Sequence, residues 1–200
     1  IPIVGLMGVG ESSLAARLVA SMLQLHGWQT ALACRDGLFV GARQLSTKDS
    51  RGFEDGERML INRTVQAAVL ETTPRQILTE GLPYDRCQVG VVMAMPNASG
   101  LDDLYITEAD QLPNIVRTQV DVVLAGGTAV LNADDPGVAE LADYSDGDVI
   151  FYSLSPDDGP VVEHRARKGR AVLSRDASVL LAAGASETPL INLSAPIFSP

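Results

Sequence analysis

The chain opens on an apolar run, Ile1–Leu6, that leads into a glycine-rich stretch, as a buried strand does on meeting a turn. The period then changes. Leu14, Leu18, Met22 and Leu25 recur at spacings of three and four within Ser13–His26, which predicts one apolar face of a helix capped by Gly27. Thr30–Cys34 reads as a second strand and Gly37–Leu45 as a hairpin-like extension. Ser46–Gly56 is polar enough to be a loop, and Glu57–Thr64 suits a short helix. Ala67–Glu71 and Val89–Met95 are continuous apolar runs of the kind found in strands covered on both faces. Glu108–Leu124 is predicted helical, Thr128–Leu131 a strand and Gly137–Leu141 a helix fragment. Alternation of this kind predicts an α/β fold, a mainly parallel sheet with crossover helices.

From Asp148 the texture shortens. Val149–Leu154, Val161–Arg165, Ala171–Ser174, Val179–Leu181 and Leu190–Leu193 read as short strands separated by turn signals such as Pro156-Asp157-Asp158-Gly159. The expected organisation is a glycine-loop α/β core over residues 1–147 and a β-rich closing segment of the same domain over 148–200.

Composition narrows the class. Two hundred residues, 46% of them hydrophobic, suffice for one sizeable core. The formal net charge of −10 argues against nucleic acid or an anionic membrane as partner, because phosphate binding needs a basic surface. No apolar run approaches the roughly 20 residues that span a bilayer. Two cysteines, Cys34 and Cys87, are too few for a disulfide framework, so a reduced cytoplasmic setting is expected and the sequons at Asn62, Asn97 and Asn192 are read as chance matches. His26 and His164 stand apart from any cluster with metal-ligand spacing, and no metal site is expected. A start in mid-strand without Met leads to the expectation that the chain is part of a longer one.

Gly5-Leu6-Met7-Gly8-Val9-Gly10-Glu11-Ser12 fits the phosphate-loop pattern G-x-x-x-x-G-K-[ST] at every position but the lysine. Such a loop works because glycines let backbone N–H groups converge on phosphate oxygens while the following helix presents its positive end. Glu11 reverses the electrostatics: a carboxylate about 4 Å from a phosphate oxygen is repelled by about 4 kcal/mol per charge pair at an effective dielectric near 20. Lys48 and Lys168 are the only lysines, and Arg17 or Arg35 are the candidate replacements. On these residues alone, a faulty nucleotide site and a plain glycine turn are equally good readings.

Three further segments bear on the choice: Ala68-Val69-Leu70-Glu71-Thr72, Gly81 through Val92, and Ala129-Val130-Leu131-Asn132-Ala133-Asp134-Asp135-Pro136. Together with the opening Ile1-Pro2-Ile3-Val4, and in order along nearly the whole chain, they resemble the central domain of Mur-type peptide ligases, in particular the Mur-like half of cyanophycin synthetases. The resemblance implies a nucleotide site of which Gly8, Gly10, Ser12, Ser13, Glu71, Asn132 and Asp135 survive: the loop, its hydroxyls, a magnesium-holding Glu and an element beside the adenosine. An ungapped match sets Ser12, rather than Glu11, at the lysine position; either way the lysine is lost. A glycine-rich segment after the Glu becomes Thr73-Pro74-Arg75-Gln76, a metal-binding segment becomes Met93-Ala94…Asn97-Ala98, and a later lysine becomes Val116 beside Arg117.

Losses at phosphate, metal and lysine positions together imply a module with no catalytic residue and no bound cofactor of its own. The resemblance then points to a supporting part of a second type of cyanophycin synthetase, one that polymerises β-aspartyl-arginine. An upstream ATP-grasp domain would use ATP and Mg²⁺, and this module would contact other domains of the chain and further copies of itself. The alternatives are a still-active ligase joining arginine to aspartyl side chains through an acyl phosphate, and a metal-free nucleotide sensor. The surviving residues also have structural roles open to them: Glu71 as an arginine partner at a strand end, and Asn132–Pro136 as a turn and helix start.

Overall fold

The computed structural model describes residues 1–155, 157 and 159–194. Its strands are β1 (Ile3–Met7), β2 (Thr30–Cys34), β3 (Gly37–Val40), β4 (Arg43–Ser46), β5 (Ala67–Thr72), β6 (Cys87–Val92), β7 (Val123–Asn132), β8 (Asp148–Ser153), β9 (Arg170–Arg175), β10 (Ser178–Ala183) and β11 (Ser186–Asn192). The helices are α1 (Ser12–Leu25), α2 (Phe53–Leu60), α3 (Pro74–Thr79), α4 (Leu112–Val116), α5 (Thr118–Asp121), α6 (Pro136–Ala139) and α7 (Gly159–Ala166).

All eleven strands form one sheet, in the order β11-β10-β9-β8-β7-β6-β1-β5-β2-β3-β4. The strands from β9 to β2 in that order run parallel, and antiparallel hairpins continue each edge. The sheet therefore passes without interruption through residue 148, and β8 and β9 belong to its parallel part.

Alternation in β1 divides the interior. Ile3 and Met7 face a large core that also takes Met59 of α2, Val116 and Val120 of α4 and α5, Val138 of α6 and Val161 of α7. Leu6 faces a smaller core in which α1 is represented by Ala16 and Ala20. The helices are thus distributed unevenly, with α1 alone on its face among the described residues.

Three expectations are corrected. Val161–Arg165 is not a strand but the middle of α7. Two adjacent valines suit a strand, yet parallel β8 and β9 need a crossover between them, and a helix supplies it while burying Val161. Glu108–Leu124 is not one helix: a 3-10 turn, α4 and α5 follow one another, and Val123 already belongs to β7. The third correction concerns α1, whose predicted apolar face is the exposed one. Leu14, Leu18, Met22 and Leu25 are 51%, 53%, 65% and 89% exposed, whereas Ser12, Ser13, Ala16 and Ala20 are buried. Small residues let the helix sit close to the sheet.

Lesser shifts have local causes. Helix α2 starts four residues before its expected position, with Gly52 as its N-cap and Glu54 and Asp55 in the first turn complementing the helix dipole. Helix α3, unread in the sequence, begins with Thr73 capping the backbone N–H of Gln76 and with Pro74 in its first turn. Pro156 and Asp158 of the expected turn lie outside the described residues.

Both cysteines are buried and free. Burial pushes the Cys87 thiol from 9.0 up to about 11 and raises Cys34 in the same direction. The folded state therefore keeps protons that the unfolded state releases. This contribution to stability is complete below the unfolded thiol pKa and is lost as pH rises towards 11. Urea midpoints are expected to fall between pH 8 and 11 by the equivalent of about 2–3 kcal/mol from Cys87, a slope that Cys87→Ala should flatten.

Candidate functional site

Strand β1 ends at Met7, residues 8–11 turn, and α1 begins at Ser12. Gly10 takes the left-handed conformation, with φ of +71°, that the turn requires. Because β5 pairs in parallel with β1 and sets Glu71 beside Leu6, the Glu71 carboxylate reaches the first turn of α1. It is 2% exposed and is met from three sides. Ser12 Oγ donates to Oε1 at 2.8 Å, Ser13 Oγ to Oε2 at 2.6 Å, and the Arg35 backbone N–H to Oε2 at 3.0 Å. A fourth group, Arg51 Nη1, stands 3.9 Å from Oε1. Helix α1, the end of β2 and the end of β5 are tied together at this one carboxylate.

Above it lies an open cavity of about 300 Å³, lined among others by Gly8, Gly10, Ser12, Arg35, Arg51 and Arg75. The three arginines are matched by acids. Arg51 holds Asp49 at 2.5 Å, which keeps the Asp49 carboxyl below its ordinary range and raises the guanidinium. Arg75 pairs with Asp103 at 2.5 Å, and Arg35 Nε stands 3.7 Å from Asp36. Glu11 is exposed at the N-cap position and makes no capping bond.

Of the two expected lysine substitutes, Arg35 lines the cavity, whereas Arg17 turns to Asp36 at 3.4 Å. At the later lysine position, Val116 is fully buried and Arg117 lies 4.3 Å over the Tyr144 ring. Lys48 is exposed in the loop after β4, and Lys168 lines a groove with Arg165 and Gly184 at the other end of the sheet.

Gly8, Gly10 and Ser12 line the cavity, and Ser13 joins Ser12 on the Glu71 carboxylate next to it, whereas Asn132 and Asp135 are not among the lining. Asn132 donates to the Met93 carbonyl at 3.0 Å. Asp135 caps α6 through the N–H groups of Gly137 and Val138 and accepts from Met95 N–H at 2.7 Å. These two side chains join the end of β7 to the segment after β6.

No family model matches the chain. It is 32% identical over 185 residues to a cyanophycin synthetase of Crocosphaera subtropica, a match covering 92% of this chain and 21% of that protein. A cyanophycin synthetase of Synechocystis sp. gives the same identity and the same coverage. The chain is a Mur ligase-like module of the cyanophycin synthetase family. The module spans about a fifth of the length of these curated relatives.

Its fold matches that of a solved UDP-N-acetylmuramoyl-L-alanyl-D-glutamate–2,6-diaminopimelate ligase, with a TM-score of 0.68 at 14% identity, over 96% of the module and 39% of that chain. It also matches E. coli FolC in complex with DHPP and ADP, with a TM-score of 0.58 at 12% identity, over 94% of the module and 49% of that chain. No described helix of the module is long and apolar enough to cross a membrane.

Sequence reasoning found the loop and Glu71 but missed Arg51 and the closure of Glu71 by the two serines. Arg51 lies in a polar loop with no distinguishing spacing. The serines are 58 and 59 residues from Glu71, and only strand pairing brings them together.

Proposed function

We propose that this module is a non-catalytic, structural part of a larger ATP-dependent amide ligase. The parent would be a cyanophycin synthetase making multi-arginyl-polyaspartate from β-aspartyl-arginine, with activation and amide formation in an ATP-grasp domain elsewhere in a cytoplasmic enzyme. The module would serve through contacts with the other domains and with further copies of itself.

The observation that carries this reading is the state of Glu71. A magnesium ion at a phosphate loop needs carboxylate and hydroxyl oxygens turned outward as ligands. Here both Glu71 oxygens accept from Ser12, Ser13 and the Arg35 backbone, which makes the acid a structural tie between α1, β2 and β5. The loop also lacks the lysine that would neutralise the phosphates of a bound nucleotide, which supports the same reading. The surviving Asn132 and Asp135 have structural partners that account for them without a nucleotide.

Calorimetric titration of the module with ATP, with and without magnesium, tests the reading. No magnesium-dependent binding in the micromolar range is expected, and clear binding of that kind would sink the proposal.

The alternative, a working ligase with arginine in place of the lysine, takes its support from Arg35, which lines the cavity. It predicts arginine-dependent ATP hydrolysis by the full-length enzyme after its ATP-grasp site is disabled. Absence of turnover excludes it.

A further inference from the structure

The cavity above Glu71 lies where loops leave the carboxyl ends of the parallel strands. Its walls include the segments that follow β1, β2, β5 and β6. The connections after β1 and β6 depart to opposite faces of the sheet, α1 to one and α4 with α5 to the other. Diverging loops leave a crevice at such a switch point, and open α/β sheets hold ligands there.

The charge of the lining is one-sided. Among the described residues its only charged members are Arg35, Arg51 and Arg75, although the chain has 25 acids against 15 bases. The acids that pair with these arginines, Asp36, Asp49 and Asp103, are not in the lining, and neither are Glu11 and Glu71. The carboxylates thus hold the guanidinium groups from behind and leave the cavity surface cationic.

None of the three arginines is fully used by its acid. Arg51 gives Nε and Nη2 to Asp49 and keeps Nη1, which stands 3.9 Å from Glu71, beyond hydrogen-bond reach. Arg75 spends Nη1 and Nη2 on Asp103 and the Gly100 carbonyl, and its Nε remains. Arg35 is the least committed. Its Nε stands 3.7 Å from Asp36, an acid shared with Arg17 at 3.4 Å. Both terminal nitrogens of Arg35 lack a partner among the described residues, so the fork that binds two oxygens at once is open.

We propose that this cavity is a metal-free oxyanion site, with Arg35 as its fork and Arg51 and Arg75 as flanking charge. Its ligand is a carboxylate of the aspartyl kind or a phosphate, which present the same oxygens to a guanidinium. A volume of about 300 Å³ is at the small end of ligand pockets and suits a group of that size. The site rests on the non-catalytic reading above, in which the cavity holds no magnesium, and names what it takes instead. The net charge of −10 opposes any anion, but at physiological salt acids more than about 8 Å away are largely screened. Binding in the millimolar range is the expected balance.

Calorimetric titration of the chain in EDTA at constant ionic strength, with phosphate and separately with N-acetyl-aspartate, tests the site. Saturable millimolar binding of at least one titrant is expected. Arg35→Gln should weaken it about tenfold or more, whereas Lys48→Gln, outside the cavity, should leave it unchanged. The Arg35 side chain is half exposed and its bond to Glu71 uses the backbone, so this variant keeps the fold. Phosphate bound alone makes free phosphate the source of the oxyanion, and N-acetyl-aspartate bound alone makes it an aspartyl group. Saturation by neither, or binding that Arg35→Gln spares, overturns the site and leaves the non-catalytic reading standing. Micromolar binding of Mg·ATP in a parallel titration without EDTA overturns that reading, whatever the two anions do.

Discussion

Glu71→Ala is expected to lower the unfolding free energy by about 3–5 kcal/mol, read from urea denaturation in the absence of magnesium. The carboxylate is 2% exposed and accepts three hydrogen bonds, two from hydroxyls and one from the Arg35 backbone. Its removal strands all three donors and leaves Arg51 without one of its two acidic neighbours. Each buried donor left without a partner costs about 1–3 kcal/mol.

The conservative change separates two roles. Glu71→Gln retains one carbonyl oxygen but turns an NH₂ towards groups of which the Arg35 N–H cannot become an acceptor, at a cost of about 1–2 kcal/mol. A glutamate kept only to ligate a metal would behave in the opposite way. Without the ion it is an uncompensated buried charge, and its neutralisation would be neutral or stabilising. A rise in stability in either variant is thus the result that would refute a structural role.

The second large effect lies at the first glycine of the loop. Gly5 is buried in the middle of β1, and a Cβ built there runs into the Tyr84 hydroxyl and the Gln119 side-chain amide. Neither neighbour has room to yield. Tyr84 is 8% exposed, Gln119 is fully buried, and the tyrosine donates to Gln119 Oε1 at 3.1 Å. Gly5→Ala should cost about 3 kcal/mol, as overpacking of a rigid core does.

Tyr84→Phe removes the nearest obstructing atom, so the double variant should recover about 1–2 kcal/mol relative to the sum of the single ones. Strict additivity in that cycle would show that the clash is not the cause. The glycine that begins the phosphate-loop pattern is thus explained by what packs beneath it. Gly10, with its positive φ, is the loop glycine that backbone geometry requires.

Much of the fold was legible because local chemistry and tertiary need coincide. The apolar runs at β1, β2 and β5 are central strands, and central strands are buried whatever surrounds them. The glycine turn, Ser12, Ser13 and Glu71 were legible as a group through resemblance to a family in which they stand together. Asn132–Pro136 was readable as a turn and helix start from its capping chemistry alone, and Asp135 does cap α6.

The chain by itself determined that a strand, a glycine turn and a helix follow one another, that the phosphate loop has no lysine, and that α1 carries an apolar stripe. Only the tertiary structure decided what each of these faces. The spacing of Leu14, Leu18, Met22 and Leu25 marks a stripe at helical period, but a period says nothing about which side meets the sheet. The sheet took the alanines because small side chains allow the closer approach, and the leucines were left outward. Val161 and Val162 carry strand propensity, and a parallel crossover overrode it. The fate of Glu71 was settled in the same way, since its hydrogen-bond partners on α1 are set by strand register, a non-local quantity that no window of sequence contains.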